Sequence, residues 1–447
     1  MAKEKDSVPE ITAITVAGFK SIARETRVEI APLTLLAGAN SSGKSSVMQP
    51  LLLLKQTLEA TYDPGALLLS DSHVRFTDAS QLLAVTGRKR ADVFKIGAEL
   101  GQDWFLEEFR QNSHKGLDPA RAVYSTPKGE IELVPGLDHT ELKRRLISAT
   151  GRSERTTFGV PLKVGQARSF LEVQAKFIDG EWNTFPWGAV PSARNFVRAL
   201  GSAIHIPGLR GNPERAYPVT ATGPRFVGPF PVYTASVVLN WQERSDIRLK
   251  TLSGQMGKLG LTWKVEARRI DATSIELRVG RLPKLKRGGA KDLVNIADVG
   301  IGVSQTLPVL VALLAAAPGQ LVYLEQPEIH LHPAAQQAMA EILCDAAKRG
   351  VKVVAETHSD ILLLAVQTLV SEGAMPPDLV KLHWFERGED GTTTVTSADL
   401  DEAGAYGPWP EDFGRVRAEG ENRYLTAAEG HMFRDAPRGR KAKTARR

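Results

Sequence analysis

The chain has 447 residues, 42% of them apolar and 24% charged, and a net charge of +6. That length exceeds one ordinary domain and predicts two or three core units. The composition excludes a disordered or fibrous chain, and the single cysteine, Cys344, excludes an intrachain disulfide framework.

One cysteine, placed in a helical pattern that predicts core packing, fits a reducing cytosol, so a cytoplasmic protein is expected. The charged start MAKEKDSVPE has no apolar core of the kind a signal peptide needs. No apolar run approaches the roughly 20 residues that span a bilayer, so no membrane partner is expected. Six positive charges sit in the end of the tail, residues 436–447, at Arg438, Arg440, Lys441, Lys443, Arg446 and Arg447, which leaves the rest of the chain neutral.

Residues 10–16 alternate loosely and predict a first strand. Phe19-Lys20-Ser21-Ile22 predicts a turn, and Arg27 to Ile30 a second, antiparallel strand. Leu33 to Ala37 is an apolar run long enough for one buried strand. The next eight residues, Gly38-Ala39-Asn40-Ser41-Ser42-Gly43-Lys44-Ser45, fit G-x-x-x-x-G-K-[ST] at every fixed position, and an apolar-rich helical segment follows from Ser46 to Leu58. Strand, loop and helix in that order are the context a phosphate-binding loop requires.

The residue types suit the chemistry. Gly38 and Gly43 lack a Cβ, which lets the backbone curl tightly around a phosphate. The N–H groups of the loop and of the helix start then point at the anion. Lys44 brings a point charge for the β- and γ-phosphates, and the Ser45 hydroxyl suits Mg²⁺. The expected nucleotide contacts are therefore Gly38, Asn40, Ser41, Ser42, Gly43, Lys44, Ser45 and Ser46.

Residues 64–92 carry no clear pattern. Gln81 there reads either as a glutamine sensing the γ-phosphate or as a plain surface residue. Residues 93–185 look like an inserted region, in which Phe170 to Ile178, a turn at Asp179-Gly180 and Trp182 to Phe185 predict a hairpin. Ile204 to Leu209 predicts a short strand, ended by Gly211-Asn212-Pro213. Residues 214–233 form an irregular, proline-rich crossing. Ala235 to Leu259 is helical in pattern, and Leu261 to Ile270 and Ile275 to Val279 read as strands around an Asp271–Ser274 turn. RLPKLKRGGAK, residues 281–291, is a basic loop.

Asp298-Val299-Gly300-Ile301-Gly302-Val303-Ser304-Gln305 opens an apolar helix from Thr306 to Ala317. Taken alone, this is either an anion-accepting helix start that faces a nucleotide on another subunit or a glycine-rich cap on a core helix. The neighbouring motif favours the first. Leu321 to Leu324 is a short strand ending in Glu325-Gln326-Pro327-Glu328, and a carboxylate there can hold Mg²⁺ opposite Ser45. His330 and His332 lack both the i, i+4 spacing of a zinc pair and a third ligand, which favours structural or subunit-contact roles. Val351 to Ala355 predicts another strand, with Glu356-Thr357-His358-Ser359-Asp360 at its end. Ligands gather at strand C-termini in such sheets, so His358 is a candidate for reaching the γ-phosphate.

FKSI, GANSSGKSS, DVGIGVSQTLP, LVYLEQPEIHLHP and ETHSD together resemble the OLD/RecF-like group of ABC-type ATPases, often called AAA family ATPases, and cover about half of the chain. The segment Ala403 to Phe413, containing Gly407-Pro408-Trp409-Pro410-Glu411-Asp412-Phe413, resembles a small C-terminal module on one branch of that group. HIPGLRGNPERAYP resembles a stretch of the same branch.

The resemblance implies an α/β fold: a P-loop ABC-ATPase-like head with a mixed sheet, an antiparallel β subdomain and an inserted α+β region. The expected order is half of the head in 1–92, an inserted region in 93–285, the other half in 286–385, a small module in 386–425 and a basic tail in 426–447. It also implies ATP and Mg²⁺ as cofactors and a homodimer paired head-to-tail through the nucleotide site. In that pairing Gly300, Gly302 and Ser304 complete the partner's site. By position, Ser45 and Glu325 serve Mg²⁺, Lys44 the phosphates and His358 the switch histidine, with catalysis resting on Glu325, Gln326 and His358.

Relatives act in DNA maintenance or anti-phage defence, commonly beside a nuclease, which makes an effector protein or DNA the expected partner. Two departures stand out. Gln326 replaces a frequent second glutamate and cannot accept a proton from water, so hydrolysis is expected to be slow unless Glu328 helps. No carboxylate cluster after His358 suits a two-metal nuclease; Glu386, Glu389 and Asp390 read as a solvated hairpin turn.

Overall fold

The computed structural model describes residues 8–114, 116–126, 128–151, 160–176, 180–184, 191–223, 225–283, 292–407 and 422–426. Contacts divide the chain into a unit ending at Gly407 and a second from Pro408, of which 422–426 is described and helical. The expected C-terminal motif at 408–413, the turn residue Asp179, most of the basic loop (284–291) and the tail from 427 lie outside the described residues.

The first unit is mixed α/β. Its central sheet has six strands in the order Ile204–Ile206, Leu321–Glu325, Lys352–Thr357, Leu33–Gly38, Val380–Arg387 and Thr393–Asp399. The first five are parallel and the last is antiparallel. Leu33–Gly38 and Lys352–Thr357 are buried at every position. Such continuous burial follows when helices cover both faces of a parallel sheet. The helices Lys44–Glu59, Ile301–Ala315 and Pro333–Lys348 pack on these strands. Cys344 is buried in the last of them, and burial pushes its thiol up to about 12.

A second six-stranded sheet is antiparallel throughout, in the order Thr26–Glu29, Ala13–Ala17, Val93–Leu100, Asp103–Gln111, Leu117–Thr126 and Gly129–Leu133. It therefore runs across the expected boundary at residue 92: Ala13–Ala17 pairs with Val93–Leu100, and residues 93–133 complete a sheet begun by residues 13–29. Helix Pro191–Ser202 ties this sheet to the Lys44–Glu59 helix, with Phe196 fully buried 4.1 Å from Phe105, centroid to centroid. The predicted hairpin is present as Phe170–Lys176 and Trp182–Thr184.

A third sheet joins Val265–Arg269, Ser274–Gly280 and Leu293–Asn295. The single helix expected over 235–259 is two, Thr234–Glu243 and Ile247–Lys258. The break falls at Ser245, whose φ is +52°, and the Asp246 side chain caps the second helix. The expected boundary at 385/386 also falls inside an element, because Val380–Arg387 is one strand beside the phosphate loop.

Candidate functional site

Parallel pairing delivers the motifs to one sheet edge. Glu325 stands opposite Glu356, Thr357 opposite Ala37, and Phe385 opposite Gly38. The residues that follow each strand therefore crowd around the glycine loop, in the crevice outside the carboxyl ends.

The loop takes the backbone its sequence predicts. Gly38 has φ +144° and Gly43, just before the helix, φ +103°. A Cβ on Gly38 would lie 2.3 Å from the Phe385 carbonyl, and one on Gly43 2.4 Å from Thr393 Oγ1. Lys44 Nζ donates to the Gly38 and Ala39 carbonyls at 3.0 and 2.8 Å. Burial lowers its ammonium pKa, against the charges of Glu356 and Glu328.

A cavity of about 730 Å³ lies over the loop, and Asn40, Ser41, Gly43, Lys44, Ser45 and Ser46 line it. Gln326, Glu356 and His358 also line it. Gly38 underlies it. Ser42 is buried, with no hydrogen-bond partner for its hydroxyl among the described residues.

Ser45 Oγ donates to Glu356 Oε2 at 2.8 Å, and the Tyr323 hydroxyl donates to the other oxygen. Burial pushes the Glu356 carboxyl up to about 7, against the pull of the two hydroxyls and Lys44. Glu325, expected as the Mg²⁺ carboxylate, is engaged elsewhere. It accepts from His205 Nε2 at 3.0 Å and from Gly208 N at 2.9 Å. Burial opposes its charge, but these contacts and Arg210 outweigh it and hold the carboxyl below its usual range.

His205 stacks on Tyr323 at 5.3 Å and meets His73 Nδ1 to Nδ1 at 2.9 Å; His73 Nε2 reaches Glu59 at 3.1 Å. A buried polar row thus runs from the Leu321–Glu325 strand end to the last turn of the phosphate-loop helix. No sequence motif announced it, since its members are scattered from Glu59 to Glu325.

Gln326 has φ +46°, and its backbone is held by Glu356 O and by Arg210, whose Nη2 donates to the carbonyls of Glu325 and Gln326. Glu328 accepts from Thr357 Oγ1 at 2.7 Å and from His358 N at 3.1 Å; burial raises its carboxyl. It fixes the histidine's backbone rather than lining the loop's cavity. Burial and then the Lys44 charge lower the His358 imidazole pKa, while a hydrogen bond to the Gly38 carbonyl opposes them.

Gly300 opens the Ile301–Ala315 helix, and neither it, Gly302 nor Ser304 lines the cavity of its own chain. Gln81 is on the cavity rim, but its amide is tied to Thr77 N and Oγ1, both at 3.0 Å. His332 caps the Pro333–Lys348 helix, and His330 has φ +65°. No group of three or more His, Cys, Asp or Glu among the described residues is arranged to hold a metal ion.

These residues fit a magnesium triphosphate. The loop's positive-φ glycines, its amides and Lys44 form an anion cradle. Ser45 Oγ and Glu356 Oε2, 2.8 Å apart, are hard oxygen donors that would together hold Mg²⁺. Mg²⁺ takes few protein oxygens and completes its shell with water and phosphate.

Comparison with known families places the chain among AAA-domain proteins. The family model "AAA domain, putative AbiEii toxin, Type IV TA system" matches residues 33–117 and 197–365, together more than half of the chain. The chain belongs to this AAA-domain family. The two matched segments carry the glycine loop, the Glu325 strand end and His358, so the family is one of P-loop nucleotide-binding proteins.

Among solved structures, the chain is similar to an Smc head bound to the C-winged helix domain of ScpA, at 13% identity, covering 88% of this chain and 99% of that one, with a TM-score of 0.46. An Smc head with an extended coiled coil, bound to the C-terminal domain of ScpA derived from Pyrococcus furiosus, shares 12% identity over 87% and 96% of the two chains, with a TM-score of 0.45. The SMC head from Thermotoga maritima shares 10% over 88% and 100%, with a TM-score of 0.36. No curated protein matches the chain.

Proposed function

We propose that this protein is an ATPase of slow turnover that pairs head-to-tail with a second copy around Mg-ATP and thereby switches a separate effector, such as a nuclease in anti-phage defence. The reading is that of the OLD/RecF-like branch. The observation that carries it is the single cavity in which Lys44, Ser45, Glu356, Gln326 and His358 converge from three adjacent parallel strands.

In this reading Lys44 and the loop amides bind the polyphosphate, Ser45 and Glu356 hold the cation, and Glu325 supports it from behind. The cation would neutralise charge that builds on the phosphates. Gln326 orients the attacking water through its amide but takes no proton, which accounts for slow turnover. His358, kept neutral by burial and by Lys44, offers a hydrogen bond without adding charge. Gly300, Gly302 and Ser304 start a helix outside their own chain's cavity, so a second copy is required for them to act on a nucleotide.

ATPase rate and molar mass, measured with and without duplex DNA for the wild type and Lys44→Ala, test this. The expectation is an ATP-dependent dimer with slow turnover, indifferent to DNA and lost in the variant. DNA-stimulated turnover would favour a DNA-maintenance ATPase. A wild type that neither binds ATP nor dimerises would overturn the proposal.

A further inference from the structure

The strand Val380–Arg387 ends beside the glycine loop because Phe385 pairs with Gly38 in parallel register. The hairpin it begins is fastened to that loop. Thr393 Oγ1 lies 2.7 Å from both the Ser42 carbonyl and the Ser21 hydroxyl, and Thr393 N donates to Ser21 O at 2.7 Å.

A second hairpin side chain reaches the loop. Arg387 lines the cavity that holds Lys44 and Ser45, and its Nη1 donates to the Ser41 carbonyl at 3.2 Å. It is exposed, and that carbonyl is its one hydrogen-bond partner among the described residues. The acidic neighbours do not occupy it. Asp390 accepts from Thr392 N and Oγ1, while Glu386 and Glu389 are exposed and line none of the cavity.

We propose that Arg387 is a nucleotide-binding residue, delivered by the C-terminal hairpin, whose guanidinium contacts the polyphosphate held by the loop. The proposal rests on the ATP reading and adds to it a cation that lies outside the matched family segments. A guanidinium bonded to a neutral carbonyl gains by exchanging it for a phosphate oxygen. Charge-assisted bonds are shorter and roughly twice as strong as neutral ones, and arginine's planar fork matches phosphate. The lining cations, Lys20, Lys44 and Arg387, outnumber the one lining carboxylate, Glu356, so the cavity favours a polyanion.

Equilibrium binding of ATP, ADP and adenosine to the full chain, by displacement of a fluorescent ATP analogue, tests this for wild type, Arg387→Ala, Arg387→Lys and Lys44→Ala. Thermal melting confirms that each variant folds. Arg387→Ala is expected to weaken ATP binding about tenfold and adenosine binding little, with partial recovery in Arg387→Lys. If Lys44→Ala loses ATP while Arg387→Ala stays within about twofold of wild type, this inference fails and the ATP reading survives. Equal losses for ATP and adenosine in Arg387→Ala also overturn it. A wild type that does not bind ATP at all removes both.

Discussion

Glu356→Gln separates what the carboxylate against Ser45 does for the fold from what it does for a cation. The side chain is 4% exposed, and burial raises its carboxyl from 4.5 to about 7. A folded-state value above the unfolded one contributes stability that is fully present below pH 4.5 and lost as pH rises through about 7. At about 1.4 kcal/mol per pH unit, the loss by pH 7.5 is about 3 kcal/mol. Glutamine carries no charge and escapes it. On the other side, Ser45 and Tyr323 bond opposite oxygens, and an amide offers only one. One hydroxyl then faces an NH₂ group, which costs about 1–2 kcal/mol.

The variant should therefore be about 1–2 kcal/mol more stable than wild type at pH 7.5 in metal-free buffer, an advantage that shrinks and reverses as pH falls toward 4.5. Wild type should gain further stability from Mg-ATP by mass action, and the variant should lose most of that gain. Urea denaturation at several pH values, with and without Mg-ATP, reads both effects. A variant less stable than wild type at pH 7.5 would refute the burial argument, and one with an unchanged magnesium dependence would refute the assignment of Glu356 to the cation.

Three further outcomes follow from the same geometry. Gln326→Glu supplies a base at the cavity wall and should raise turnover by about tenfold or more; an unchanged or lower ATPase rate would show that this side chain is not at the water. Ser304→Arg, at the start of the Ile301–Ala315 helix and away from its own chain's cavity, should abolish the ATP-dependent dimer seen by light scattering. Its monomer should still bind ATP within about twofold of wild type, and a persistent dimer would argue against head-to-tail pairing. Gly38→Ala forces a Cβ to 2.3 Å from the Phe385 carbonyl at φ +144°. It should cost more than about 2 kcal/mol in denaturation and abolish nucleotide binding, whereas a wild-type melt would mean that the loop and hairpin are not in contact.

The phosphate loop was legible because its chemistry is local. Leu33–Gly38, the glycine turn and the Lys44–Glu59 helix are contiguous, and the glycines sit where the backbone demands positive φ. The strand ends at Glu325 and at Glu356-Thr357-His358 were equally readable, as apolar runs closed by acidic or titratable residues. Which carboxylate meets Ser45 was not. Glu325 and Glu356 end similar strands, and the choice depends on Lys352–Thr357 lying between Leu321–Glu325 and Leu33–Gly38. Nor could any spacing show that His73 and His205 brace Glu325, or that Arg387 returns to the loop from 346 positions away. The sequence by itself determined a nucleotide cradle and the strands around it, because each is written in consecutive residues. Only the tertiary structure decided which side chains face that cradle, because strand order and register are set by pairing between segments whose separation along the chain carries no local signal.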